Sequence, residues 1–305
     1  MSTTPKLPFK FLFFTTSVIT RNILQRRSIF TLQTWRRAAL LLFNLRQHLR
    51  LIRILSHPQA AQLIIRNPEL SYKYLRNYIA LDIPTTTCLA ILIEHYSYLQ
   101  KHFKHDFLDI VCHSPIPLWS QYIDGISFEI VMDYPHTIDF EGDLCLIFKK
   151  DQVNIYRIIF VIANGSSFAL PNDNVLFLSS VQGMGDFEDV KQATKVCHDI
   201  QPAQLLMAAM NGVGMALGVD MIVGIGDKNQ ISRGSKFYFS YEKFFENYGD
   251  LIPHTNFYKM PLPYAEKPLE LIDAHHRKRS QKKRFFKNDI RDQVALSIRQ
   301  YVDVH

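Results

Sequence analysis

The sequence predicts an α+β fold: a helical N-terminal part followed by a mixed, largely antiparallel sheet. Two changes of pattern predict it. Apolar residues recur at helical spacing within residues 36–110, and from Pro115 to Val181 short β-branched and aromatic runs take over. Further on, the order strand–helix–helix–strand implies one parallel pair within the sheet.

Three regions follow: a loosely ordered basic leader (1–35), a helical region (36–110), and an α+β region with a basic helical tail (111–305). In "LRQHLRLIRIL", Leu45, Leu49, Ile52 and Leu55 recur at helical spacing with Arg46, Arg50 and Arg53 opposite. "TTTCLAILIEHYSYLQKHF" follows Pro84 and reads as a second long helix. "SFEIVMDY", "DLCLIFKK", "NIYRIIFVIA" and "NVLFLSSV" read as about four antiparallel strands. A helix is expected from about Glu188 to Cys197 and another from Pro202 to Leu217, opened by the proline and stopped by Gly218. "VDMIVGIG" (219–226) then reads as a buried strand parallel to 174–181, and "SYEKFFENYG" as a short helix.

The composition narrows the class. The chain of 305 residues is 47% hydrophobic, with 22 Phe and 14 Tyr, enough for a sizeable core and incompatible with wholesale disorder. None of the four cysteines forms a Cys-x-x-Cys pair, so the spacing suggests neither a zinc site nor a disulfide framework, and a reducing cytoplasm is implied. The net charge is +7, unevenly spread: residues 1–68 contain no Asp or Glu, and a second basic cluster is "HHRKRSQKKRFFK", His275 to Lys287. Such asymmetry suits an anionic partner, a membrane surface or nucleic acid, or simply a solvated basic face. No module for base readout is recognisable, so nucleic acid is the weaker partner. "FLFFTTSVI" (11–19) is short, and Arg21 follows where a small-residue cleavage site belongs, so export is not expected. "AALLLFNL" (38–45) is too short to span a bilayer, which needs about 20 apolar residues.

Several residue groups carry possible chemistry. In "VQGMG", Gly183 and Gly185 follow a strand, as in glycine-rich phosphate loops, but the stretch matches neither G-x-G-x-x-G nor a G-K-[ST] loop, and a turn that needs glycine is the favoured reading. Lys191, Lys195 and His198 fall at i, i+4 and i+7, so one continuous helix would place them on a single face able to hold an anionic group, or merely to be solvated. His198 titrates near neutrality and suits a general base. Asp139, Glu141 and Asp143 flank Gly142 and read as a turn before a strand. His95 reads as a buried histidine bonded to a neighbour. His102 and His105 lack an obvious third metal ligand.

Taken in order, "YKYLRNYIALDIPTTTCLAILIEHYSYL", "EGDLCLIF", "VKQATKVCHDIQPAQLLMAAMNGVGMALGVDMIVGIGDKNQI", "FYFSYEKFFENYG" and "LPYAEKPLELIDAHHRKRSQKKR" resemble the VirK/YbjX family of Gram-negative bacteria, over roughly residues 40–300. The chain departs from that family at Asp143, where a second Glu is usual, and at Gln201, where Arg is usual. The resemblance implies a virulence-associated factor of the cell envelope, tied to surface-protein display or resistance to cationic antimicrobial peptides. It implies no particular reaction.

The strand, glycine turn, helix, parallel strand and aromatic helix also look like the core of GNAT acyltransferases, which hold the acyl-CoA pyrophosphate at a helix N-terminus. Pro202 opens the corresponding helix here, although the usual [QR]-x-x-G-x-[GA] loop is absent and an extra helix intervenes. That resemblance implies an acyl-CoA or acyl-carrier-protein donor bound by Gln182, Gly183, Lys191, Lys195 and the Pro202 helix, with His198 as base and Tyr241 as proton donor. The alternative is a non-catalytic accessory protein, cytoplasmic and peripheral on the inner membrane, whose basic N-terminal segment docks on the anionic leaflet.

Overall fold

The N-terminal helices take shape from stripes of apolar residues that need a common partner. The computed structural model describes residues 32–135, 140–232 and 239–303, so the leader lies almost wholly outside the described residues, as does Asp139. Helix α1 spans Leu32–Phe43, α2 Leu45–Leu55 and α3 Pro58–Arg66, followed by a 3-10 segment, Pro68–Leu75. The buried face of α2 is His48, Leu51, Ile52 and Leu55, whereas Leu45 and Leu49 are exposed. That face is rotated from the expected one because His48 turns inward, where its Nδ1 pairs with the Tyr74 hydroxyl at 3.1 Å.

Helix α4 (Thr85–His102) is buried on nearly every side, through Cys88, Leu89, Ile91, Leu92, Ile93, His95, Tyr96 and Leu99. It packs between α2 and the sheet, as a helix without a wide polar face must. Helix α5 (Phe107–His113) completes this layer.

The sheet has eight described strands: β1 (Ile116–Ile123), β2 (Ile126–Asp133), β3 (Leu144–Lys150), β4 (Val153–Ala163), β5 (Val175–Gly183), β6 (Met221–Ile225), β7 (Asp250–Leu251) and β8 (Phe257–Pro261). Their order is β1-β2-β3-β4-β5-β6-β8-β7. Pairing is antiparallel from β1 to β5 and from β6 to β7, and parallel only between β5 and β6. Strand β1 was not expected from the sequence. It is an edge strand with a bulge between Pro117 and Trp119, one of the few places in a sheet where a proline fits.

Helices α6 (Phe187–Val196) and α7 (Pro202–Leu217) connect the parallel pair. Helix α7 ends at Gly218 in the left-handed region, φ 65°, as the glycine predicted. It lies between strands β3–β5 and the long C-terminal helix α9 (Ala274–Arg299). The two helices meet at Gly212, where any Cβ would stand 2.4 Å from the Arg291 carbonyl oxygen. One apolar core runs from Leu51 through the sheet to Ile298, so the helical layer and the sheet share it.

Candidate functional site

Strands β5 and β6 pair at Leu176–Ile222, Phe177–Val223 and Leu178–Gly224, and then β5 continues alone on that side to Gly183. Beyond the last shared pair, the Val181 amide donates to the Tyr241 hydroxyl at 3.1 Å, and Gln230 Nε2 donates to the same oxygen at 3.0 Å. Tyr241 opens the short helix α8 (Tyr241–Phe245). Asp227 fixes this start: its carboxylate accepts from the Tyr241 amide at 2.7 Å and from the Ser240 hydroxyl at 3.0 Å. Burial pushes the Tyr241 phenol up to about 12, so near neutral pH it keeps its proton.

Beside this wedge lies Glu141, almost fully buried. Its carboxylate accepts from Ser232 Oγ at 2.6 Å and from Gln182 Nε2 at 3.1 Å, and Gln182 also donates to Ser180 Oγ at 2.7 Å. Register explains the meeting. Ile159 faces both Cys145 and Ser180, and Arg157 faces Gln182, so Ser180 and Gln182 rise from the same face of the sheet as Cys145 and Ile159. Glu141 reaches that face from the turn before β3. Gly142 lets the turn press on the sheet, because a Cβ there would stand 2.7 Å from Ile159 Cγ2.

Asp143, next in the chain, points into the helical layer and is 1% exposed. Lys73 Nζ lies 2.9 Å from its Oδ1 and also donates to the Gly142 carbonyl at 3.1 Å. The Tyr78 hydroxyl donates to Oδ2, and the Tyr96 hydroxyl to Oδ1 at 2.9 Å, with Tyr134 a further 3.0 Å from Tyr96. Burial alone would raise the Asp143 carboxyl; Lys73, with His95 and Tyr78, more than offsets it and holds the group below its ordinary value. His95 is fully buried, and its Nδ1 accepts the Ile162 amide at 3.1 Å, so the neutral ring carries its proton on Nε2. Burial lowers this imidazole to about 4. Glu141 and Asp143 thus form a turn, as the sequence suggested, yet one that buries two carboxylates. The partners come from the 3-10 segment and the residues after it, α4, β5 and the chain after β6, which no local pattern links to them.

Of the predicted site residues, the structure joins Tyr241 and Gln182 through the end of β5. Gly183 ends the same strand, and the amides of Met184 and Gly185 both turn back onto the Ile155 carbonyl, at 3.0 and 3.3 Å. Lys191 and Lys195 lie exposed on α6, Lys191 beside Glu188 at 3.7 Å. The single-face expectation for Lys191, Lys195 and His198 is corrected: α6 ends at Val196, and His198 follows in the left-handed region, φ 60°. The ring of His198 instead meets Phe286 on α9, centroids 4.9 Å apart, away from the partners of Tyr241. At the start of α7, Pro202 has no amide to offer, and those of Gln204 and Leu205 already donate to the Gln201 carbonyl, at 2.8 and 3.2 Å.

Residues 26–296 match the family model described as protein of unknown function (DUF535). The chain belongs to this family. A DUF535 relative, the uncharacterized protein YbjX of Escherichia coli K12, is 23% identical over 261 residues, covering 80% of this chain and 77% of that protein. The membrane protein LapB of Mannheimia haemolytica is 24% identical over 184 residues, covering 58% of this chain and 75% of its own. An uncharacterized protein of Haemophilus influenzae is 31% identical over 179 residues, covering 54% of this chain and 56% of its own. No solved structure matches the chain. The VirK/YbjX resemblance read from the sequence therefore holds. No described helix is long and apolar enough to cross a membrane.

Proposed function

We propose that this DUF535 protein acts on the bacterial envelope by acyl transfer, in a GNAT-like wedge between β5 and β6. The observation that carries this reading is the end of that parallel pairing at Leu178–Gly224, with the Tyr241 phenol seated on the Val181 amide beyond it. An acyl thioester laid in the wedge would meet the Tyr241 phenol, which holds its proton. Glu141, bound by Gln182 and Ser232, replaces His198 as the base. An acceptor amine or hydroxyl passes its proton to Glu141 and bonds to the acyl carbon. The carbon–sulfur bond then breaks, and Tyr241 protonates the leaving thiolate. The donor remains an acyl-CoA or an acyl-carrier protein.

Native mass spectrometry with both donors tests the binding, and single-turnover thiol release tests the chemistry. Tyr241→Phe is expected to bind donor and to release thiol about a hundredfold more slowly. Binding of neither donor, or equal release by wild type and Tyr241→Phe, removes the acyl-transfer reading.

A second reading, a non-catalytic accessory protein peripheral on the inner membrane, has its own support. Helix α1 leaves Leu32, Trp35, Leu42 and Phe43 at 87, 63, 68 and 88% exposure. Arg36, Arg46, Arg50 and Arg53 are exposed on α1 and α2. Apolar and aromatic residues beside exposed cations are the pattern of a helix lying in an anionic membrane interface. LapB, a relative, carries the name membrane protein. Co-sedimentation with phosphatidylglycerol vesicles at low salt is expected for wild type and largely lost in Trp35→Ser/Phe43→Ser. A protein that stays in the supernatant under those conditions does not dock.

A further inference from the structure

We propose that the cleft between α1 and the end of the 3-10 segment binds a phosphoryl group. The cleft has a volume of about 440 Å³. Arg36 and Arg37 of α1 line it, with Arg76, Gln33, Asn77 and Thr85. No Asp or Glu is among its described lining residues. Guanidinium groups, amides and a hydroxyl line one hollow, and guanidinium forks match phosphate oxygens in pairs. The volume falls within the ordinary range for small-molecule sites, on the order of 300–1,000 Å³.

Two contacts shape Arg76 for this role. Its guanidinium carbon lies 5.3 Å from the centre of the Phe140 ring, which supports the fork from one side. Its ion pair with Glu69 is long, 3.8 Å, and both side chains are partly exposed, so that carboxylate neutralises little of its charge.

The position matters as well. Phe140 and Ile231 form part of the wall, and the residues that follow them in sequence, Glu141 and Ser232, hydrogen-bond to each other at 2.6 Å. A ligand anchored by its phosphoryl group in this cleft lies next to the carboxylate already singled out. Binding itself does not depend on the acyl-transfer reading, and the two have separate readouts.

The same chemistry comes from two sources, a soluble phosphate compound or an anionic lipid headgroup. Isothermal titration with inorganic pyrophosphate and with monomeric short-chain phosphatidic acid separates them, since only the second joins the phosphoryl group to glyceride and acyl chains. At least one ligand is expected to bind wild type, and Arg36→Gln/Arg37→Gln to weaken it by about tenfold or more. Lys278→Gln/Lys282→Gln removes the same charge from exposed positions on α9 and is expected to leave affinity unchanged. A stronger response to phosphatidic acid assigns a lipid headgroup, and a stronger response to pyrophosphate a soluble ligand. A readout free of mutation is phenylglyoxal labelling of wild type: the bound ligand should protect Arg36, Arg37 and Arg76 in peptide mass maps. Absence of binding by both ligands overturns the site. So does equal weakening in the α9 control, or protection elsewhere than these three arginines.

Discussion

Lys73→Ala is expected to destabilise the fold by about 3–5 kcal/mol, because it strands a buried carboxylate. The Lys73 and Asp143 side chains are 4% and 0% exposed and lie 2.9 Å apart. Water cannot replace the ammonium without opening the layer between the 3-10 segment, α4 and β3. The hydroxyls of Tyr78 and Tyr96 still reach Asp143, but neutral donors do not balance a full charge at that depth. Lys73→Met/Asp143→Asn tests the cause. It removes both charges and retains an acceptor for the tyrosines, so it is expected to recover more than about 1 kcal/mol relative to Lys73→Ala. Urea unfolding of wild type, Lys73→Ala, Asp143→Asn and the double variant measures this. A Lys73→Ala cost within about 0.5 kcal/mol, the range of ordinary surface substitutions, would show that the pair does not hold the layer.

Acidification is expected to weaken the fold well before the carboxylates titrate. Burial lowers His95 from 6.5 to about 4, with the nearby Asp143 raising it and Lys73 lowering it further. The sign follows from which state takes the proton first. Below about 6.5 the unfolded chain binds it and the folded chain does not, so stability falls with pH until the folded ring titrates near 4. A shift of that size corresponds to roughly 3 kcal/mol. His48, lowered by burial to about 4, acts in the same direction and window. Asp143 acts later: its folded value is below the ordinary one, so its contribution persists above the ordinary carboxylate range and is lost only at lower pH. Protonating His95 on Nδ1 also removes the acceptor of the Ile162 amide. Chemical unfolding at about pH 7 and about pH 4.5 should therefore give a clear loss for wild type and a smaller one for His95→Gln. An equal loss in the two proteins would exclude His95 as the source.

Much of the fold was legible locally. The run from Pro202 to Leu217 carries its own start and stop signals, a proline in the first turn and Gly218 after the last, and the helix has those bounds. The apolar runs around 174–181 and 219–226 are too short for helices and are joined by two of them, which leaves a parallel pair as the natural arrangement. The motifs spread along residues 40–300 were specific enough to suggest the family. Strand β1 was missed because Pro117 disguises it, and that signal was available in principle, since a proline is tolerated at a sheet edge.

The candidate site was legible only in pieces. The sequence by itself determined the helices around the parallel pair, that pair, the family and the basic N-terminal segment, since periodicity, turn residues and charge are properties of neighbouring residues. Tertiary structure alone decided which polar groups meet. His198 leaves the site because the chain turns left-handed after α6 and lays the ring on Phe286. Glu141 and Asp143 stand two residues apart and part company: one joins Gln182 and Ser232 over the sheet, the other Lys73, Tyr78 and Tyr96 in the helical layer. A buried charge must find its counterpart wherever packing brings one within hydrogen-bond reach, and that partner is set by the three-dimensional path of the chain rather than by any spacing within it.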